Sequence, residues 1–172
     1  MPAGEDAVEV LGLEARAGAD DHSSIRLWLR LLSAANLIKA EVQARLRRTF
    51  GTTLARFDLL AQLDRHPEGL PMGALSKRMM VTAGNITRLV DQLELEGLVT
   101  RWPDPEDRRA VRVRLTERGR RQFRRMAAVH EAWIVELFGA LSQGERDQLH
   151  SLLASLKRSV VQALGQTGGG SA

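Results

Sequence analysis

The chain has no cysteine among its 172 residues. That absence removes disulfides, thiolate zinc sites and peroxide sensing through a thiol. Long apolar runs are also missing. Nothing reaches the roughly 20 residues that a membrane-spanning helix needs. The first residues lack the basic start and apolar run of a secretory leader, so a cytoplasmic protein is expected. Catalytic signatures are absent as well: there is no phosphate loop, no metal-ligand cluster and no serine elbow. His22, His66, His130 and His150 stand far apart in different contexts. Glu94 and Glu96 close a helix and read as a solvated pair. No catalytic residue, cofactor or metal is therefore expected.

Lysine is scarce. Arginine supplies 22 of the 25 basic residues, a choice that a GC-rich coding bias explains well enough. Such a bias does not explain where the charge sits. Residues 1–24 hold six acids and one base, a net of −5, so the remainder carries +9. Residues 101–125 alone hold ten arginines against four acids. Guanidinium clustered in this way is the electrostatic footprint of a phosphate-binding surface.

What is present is mostly helical periodicity. Residues 1–24 are small, acidic and glycine-containing, and are expected to form a flexible segment. A helix is predicted from about Ile25 to Phe50, with Trp28, Leu31, Ala35, Ile38, Val42, Leu46 and Phe50 on one stripe. Gly51 ends it. Thr52 and Thr53 can cap a second helix that faces Phe57, Leu60, Ala61 and Leu63 inward. His66 to Pro71 reads as a break in the chain. A short third helix is predicted from about Met72 to Met79, held by Leu75, with Met80 and Val81 as the turn that follows.

The stretch from Thr82 to Leu115 carries the most information. TAGNITRLVDQLELEG reads as a helix capped by Thr82 and stopped by Gly97, with Ile86, Leu89, Val90 and Leu93 on one face. Gly84, Arg88 and Asp91 lie opposite, with Asn85 and Thr87 on the flanks. Leu98 to Trp102 is then an outgoing strand. Pro103 to Asp107 is turn chemistry, and Val111, Val113 and Leu115 alternate with Arg112 and Arg114 on the return. A helix able to enter a DNA groove beside a basic hairpin is the plan of a winged helix-turn-helix. After it, Thr116 caps a long helix bearing Phe123, Met126, His130, Trp133, Leu137 and Leu141. Ser142 to Glu145 is a capping box. The last helix presents Leu149, Leu152, Leu153, Leu156, Val160 and Leu164.

The fold class expected is mostly α with a small β-hairpin wing, a winged helix-turn-helix joined to a helical dimerisation region. The divisions are a flexible acidic segment at 1–24, a dimerisation helix at 25–53, the reading module at 54–115, dimerisation helices at 116–165 and a flexible tail at 166–172. A module of about sixty residues is too small to cover three long apolar stripes, so these helices are expected to pack on a second copy of the chain. A single larger monomeric core is the alternative.

These residues resemble the MarR family of dimeric winged-helix regulators. The resemblance rests on FGTTLARFDLLAQL and on LSKRMMVTAGNITRLVDQLELEGLVTRWPDPEDRRAVRVRLTERGRRQF, and it covers roughly residues 25–165. Its most specific element is Asp107-x-Arg109 followed by Leu115-Thr116-x-x-Gly119. It implies a homodimer that sets the fourth helix in the major groove and a wing arginine in the minor groove of a double-stranded operator. It also implies a small effector that weakens DNA binding. The missing cysteine sets this chain apart from the thiol-oxidised branch of the family, which favours ligand sensing.

Candidate DNA contacts follow. Thr82, Gly84, Asn85, Thr87 and Arg88 are the candidate base-reading face. Short polar side chains suit base edges, and Arg88 can fork onto guanine. Arg109 is the candidate minor-groove residue, with Asp107 placed to hold it and Arg108 placed on phosphate. Lys77 and Arg78 are candidate phosphate contacts. The plainer reading is that Thr82 only caps, Asn85 only solvates the surface, and Asp107 and Arg109 form an ordinary surface ion pair. The resemblance implies a pocket between the dimerisation helices and the reading module, where Arg26, Trp28, Arg30, Phe57 and His66 are the candidate ligand contacts: an aromatic ring beside a guanidinium suits an aromatic carboxylate, and the basic surplus also allows a coenzyme A thioester of an aromatic acid. Here the alternative is that Trp28 and Phe57 are core and His66 a loop residue. The competing function is a winged-helix protein-interaction or architectural module with no inducer.

Overall fold

In the computed structural model the described residues are 23–104 and 110–167. Nine elements follow in chain order among these described residues: α1 (Ser23–Phe50), α2 (Leu54–Asp64), β1 (Leu70–Pro71), α3 (Met72–Met79), α4 (Ala83–Leu95), β2 (Val99–Pro103), β3 (Val111–Leu115), α5 (Glu117–Leu137) and α6 (Gln143–Thr167). The chain divides into two compact units, Met1–His130 and Glu131–Ala172.

Local chemistry sets most of the ends. Gly51, at φ 62°, closes α1, and its amide donates to the Arg47 carbonyl at 3.0 Å. Thr53 caps α2 by accepting from the Arg56 amide at 3.3 Å. The Gln43 side chain of α1 accepts the Leu54 amide at 2.8 Å, which covers one more of the donors that a helix start leaves open. Gly97, at φ 69°, ends α4, and the Leu98 amide reaches back to the Leu93 carbonyl at 2.9 Å. Met80 is a left-handed residue at φ 54° in the turn between α3 and α4. The Ser76 hydroxyl holds that turn by donating to the Val81 carbonyl at 2.6 Å.

The core of the first unit lies where α2, α3 and α4 meet the sheet. Leu59, Leu60 and Leu63 of α2, Leu75 of α3, Ile86, Val90 and Leu93 of α4, and Val99 and Val113 of the strands are buried. Val42 and Leu46 of α1 and Phe123 and Met126 of α5 join them. A fully buried Leu or Ile contributes about 1.5–3 kcal/mol through removal from water, so these side chains dominate the stability of the unit.

The sheet differs from the sequence expectation. It has three antiparallel strands in the order β1-β3-β2, not a two-stranded hairpin alone. Leu70 pairs with Val113 and Pro71 with Arg112, within the segment read as a chain break. Two residues carry no alternation to detect, and Pro71 is tolerated because β1 is an edge strand. Gly69 makes the corner at φ 82°, where an added Cβ would lie 2.3 Å from the Trp102 ring. β2 is shifted by one residue from the expected strand, pairing Val99 with Leu115 and Pro103 with Val111.

Smaller corrections concern the ends. α1 begins at Ser23, so Ser23 and Ser24 belong to the helix and not to the N-terminal segment. α5 stops at Leu137, which leaves Leu141 in the following turn and off the helical stripe. α6 runs to Thr167, taking in Gln166 and Thr167 that the sequence assigned to the tail.

In the second unit, Ser142 and Glu145 form the expected capping box. The Ser142 amide and hydroxyl donate to the Glu145 carboxylate at 2.8 and 2.7 Å, and the Glu145 amide donates back at 3.3 Å. Those bonds hold the Glu145 carboxyl below its usual range. Among the described residues of α6 none is buried, and Leu152, Val160, Val161 and Leu164 are at least half exposed in the isolated chain. Trp28 and Leu27 near the start of α1 are also exposed. No described helix is long and apolar enough to cross a membrane.

Candidate nucleic-acid interface

α3 and α4 meet at the Met80 turn and form a helix-turn-helix pair. α4 buries Ile86, Val90 and Leu93 against the core, with Leu89 half-buried, and turns its other side outward. Thr82, Gly84, Asn85, Thr87 and Arg88 are all exposed and share that outer region. The Thr82 hydroxyl caps α4 by accepting from the Asn85 amide at 3.4 Å. The Thr87 hydroxyl donates to the Ala83 carbonyl at 3.0 Å. Arg88 makes no ion pair among the described residues. A Cβ added to Gly84 would meet nothing within 4 Å, so nothing among the described residues requires a glycine there. Lys77 and Arg78 lie exposed in the last turn of α3.

The wing stem is described, but its tip is not. Asp107, Arg108 and Arg109, which the sequence proposes as the wing contacts, lie outside the described residues. In the stem, several arginines of the basic cluster are engaged internally. Arg101 donates to Glu94 at 2.6 Å and to Asp91 at 2.5 Å. Arg112 lies 3.3 Å from the buried Asp104 carboxylate. The Arg114 guanidinium sits 4.7 Å above the Trp102 ring. Part of the charge that looked like a phosphate-binding surface therefore holds the sheet to α4.

Glu94 and Glu96 also correct the sequence reading. They are not simply solvated. Glu94 accepts both the Arg101 amide, at 3.1 Å, and its guanidinium. Glu96 pairs with Arg56 of α2. These acids tie the C-terminal end of α4 to β2 and to α2.

The five candidate ligand residues occupy different places. Arg26, Trp28 and Arg30 lie exposed in the first two turns of α1. His66 sits in the loop after α2, with Nδ1 3.1 Å from the Glu68 carboxylate. Phe57 is buried, 5.5 Å from the Phe123 ring and 4.7 Å from the His130 ring. Beside Phe57 is a groove of about 350 Å³ whose walls include Asp58, Arg65, Arg78, Met79 and His130. None of Arg26, Trp28, Arg30 and His66 lines it. Sequence reasoning did not single out Asp58, Arg65 or His130 for this groove. Their convergence is tertiary, and spacing along the chain carries no sign of it. Desolvation raises the Asp58 carboxyl above its usual range against the opposing pull of His130 and Lys39. Desolvation lowers His130, with Asp58 opposing. Among the described residues no group of histidines and acids could hold a metal ion.

This architecture recurs in known proteins. The model of the MarR family matches residues 52–111, which run from the cap of α2 to the return strand. A MarR family transcriptional regulator from Silicibacter pomeroyi superimposes with a TM-score of 0.70 at 30% identity, covering 83% of this chain and 99% of that one.

The chain belongs to the MarR family.

An HTH-type transcriptional regulator of Bacillus subtilis (strain 168), YkoM, is 34% identical over 102 residues, 59% of this chain and 64% of that protein. The match thus spans just under two thirds of that relative's length. The fold is also that of Sco3205 from Streptomyces coelicolor, a MarR family regulator solved in complex with DNA, with a TM-score of 0.71 at 23% identity over 84% of this chain and 92% of that one. As a MarR family chain, this protein has an α4 that occupies the recognition position of a winged helix-turn-helix.

Proposed function

We propose that this protein is a homodimeric, DNA-binding transcriptional regulator, a repressor released from a pseudo-palindromic operator by a small anionic aromatic ligand. The observation that carries the DNA reading is the outer edge of α4. It is exposed and polar, has no obstructing side chain at Gly84, and ends on an Arg88 that makes no ion pair within the described chain. α4 enters the major groove. Arg88 reads a base edge, while Thr82, Asn85 and Thr87 make shorter polar contacts. Lys77 and Arg78 lie on phosphates. The wing contacts, Arg109 with Asp107 and Arg108, come from the sequence and its family resemblance.

The dimer reading rests on the apolar faces of α1 and α6 that the isolated chain leaves exposed. Apolar faces of this kind, on helices none of which among the described residues is long and apolar enough to cross a membrane, suit an association surface. Two copies would set their α4 helices about one DNA turn apart, 34–36 Å. For the effector, the groove beside Phe57 combines aromatic and thioether walls with the guanidiniums of Arg65 and Arg78. That combination suits an aromatic carboxylate, or the acyl end of its coenzyme A thioester. A change of 1–3 kcal/mol in coupling, the usual range, would suffice for release.

The test is a titration of Arg88→Ala and Arg109→Ala against operator and scrambled duplexes at several salt concentrations. Arg88→Ala should chiefly relax specificity. Arg109→Ala should weaken both duplexes and flatten the salt dependence. Unchanged affinity in both variants would remove the reading.

A further inference from the structure

A second concave site lies between the end of α1 and the first half of α5, apart from the outer edge of α4. Its volume is about 570 Å³, and its walls include Arg118, Arg121, Arg125, Gln122, Phe50 and Met126. The three arginines recur on one face of α5 at steps of three and four, so their Cα atoms span roughly 10 Å along the helix axis. None of the three pairs with a carboxylate among the described residues, and the lining contains no acid. In the sequence these arginines are three of the ten in residues 101–125. The fold separates them from Arg101, Arg112 and Arg114, whose charge or ring face is already engaged.

Position separates this cleft from the reading edge. A Cβ on Gly97 would lie 3.8 Å from an Arg118 guanidinium nitrogen, which places Arg118 at the C-terminal end of α4. Gly84, at the other end of that helix, is thirteen residues away, or roughly 20 Å at the helical rise. The walls also differ from those of a surface that only tracks a duplex backbone. Met126 is buried and forms an apolar floor, Phe50 adds a partly buried ring, and Gln122 offers both a donor and an acceptor. Three forked donors meet a chain of phosphate oxygens, and an apolar wall beside them meets a flat organic group.

We propose that this cleft binds a phosphorylated organic anion of nucleotide type, its phosphates on Arg118, Arg121 and Arg125 and its ring system against Phe50 and Met126. Binding here does not depend on the DNA reading of α4.

The experiment is isothermal titration of the full chain with ATP, with inorganic tripolyphosphate and with a short scrambled duplex. The variants are Arg121→Ala/Arg125→Ala and, as a control outside the cleft, Arg88→Ala. Both arginines of the double variant are exposed, and thermal unfolding checks that its fold is retained. ATP should bind at one site per chain, more tightly than tripolyphosphate. The double variant should lose about tenfold or more in ATP affinity, the scale expected for deleting charge-assisted hydrogen bonds. Arg88→Ala should leave ATP binding unchanged even where it alters duplex affinity. The proposal is overturned if ATP gives no saturable binding, or if the double variant binds it as the parent does. It is equally overturned if the double variant loses only duplex affinity, which would assign these arginines to the DNA backbone. Tripolyphosphate binding as tightly as ATP would remove the organic part of the ligand.

Discussion

Glu94 and Arg101 are joined twice: the Glu94 carboxylate accepts the Arg101 amide at 3.1 Å and its guanidinium at 2.6 Å. The first bond fixes where β2 begins relative to α4. The second ties a stem arginine to the helix, and Asp91 completes the clasp at 2.5 Å. Glu94→Ala should therefore cost about 0.5–1 kcal/mol, since the pair is partly solvated and screened. Chemical denaturation in low and high salt checks this. A loss that does not shrink with salt would mean that the amide bond, not the ion pair, supplies the stability.

Gly84 separates folding from recognition. Its place at the start of α4 is open to solvent, and Ala is the better helix former by roughly 0.5–1 kcal/mol. Gly84→Ala should unfold at the same or a slightly higher temperature while binding operator DNA more weakly. Unchanged DNA affinity would show that the backbone does not approach a duplex closely there.

Gly119 has the opposite character. A Cβ at this position would lie 1.9 Å from the Leu98 carbonyl oxygen. The crowding arises because the Thr116 hydroxyl donates to the Gly97 carbonyl at 2.7 Å and accepts the Gly119 amide at 3.0 Å, drawing α5 onto the corner between α4 and β2. Gly119→Ala should destabilise the protein by about 3 kcal/mol or more, since backbone must move to relieve the overlap. Equilibrium denaturation reads the effect, and a cost below about 1 kcal/mol would mean that the corner relaxes easily.

His130 predicts a pH dependence of stability. Desolvation lowers its folded pKa, with Asp58 opposing, so the unfolded chain takes up the proton more readily. Stability should be fully present above the ordinary histidine range of about 6.5. It should fall as pH drops from there through the lowered folded value. The raised Asp58 acts in the opposite sense at lower pH, because protonation of its carboxyl favours the fold. Thermal unfolding between pH 7.5 and 5.5 should show the loss in the parent and a flatter profile in His130→Gln. Equal slopes in the two proteins would rule out this role for His130.

Much of this fold was legible in the sequence because it is written locally. Thr53, Thr82 and Ser142 each cap the helix assigned to them, and Gly51 and Gly97 supply the left-handed stops. These signals involve residues two to four apart, and the apolar spacing of α4 selects its buried face as directly. The outer edge of α4 follows from the same periodicity, which by itself predicts that Thr82, Gly84, Asn85, Thr87 and Arg88 lie away from the buried face.

Tertiary structure decided the rest. Leu70 pairs with Val113, 43 residues further along the chain, so the third strand has no local signature. The ten arginines of residues 101–125 look alike in sequence. Packing alone sends Arg101 to Glu94 and Asp91, lays Arg114 over Trp102, and leaves Arg118, Arg121 and Arg125 around an open cleft. The physical reason is range. Caps, turns and helical faces are set by neighbours along the chain, whereas the partner of a long charged side chain is set by whichever acid or ring the fold brings within its reach.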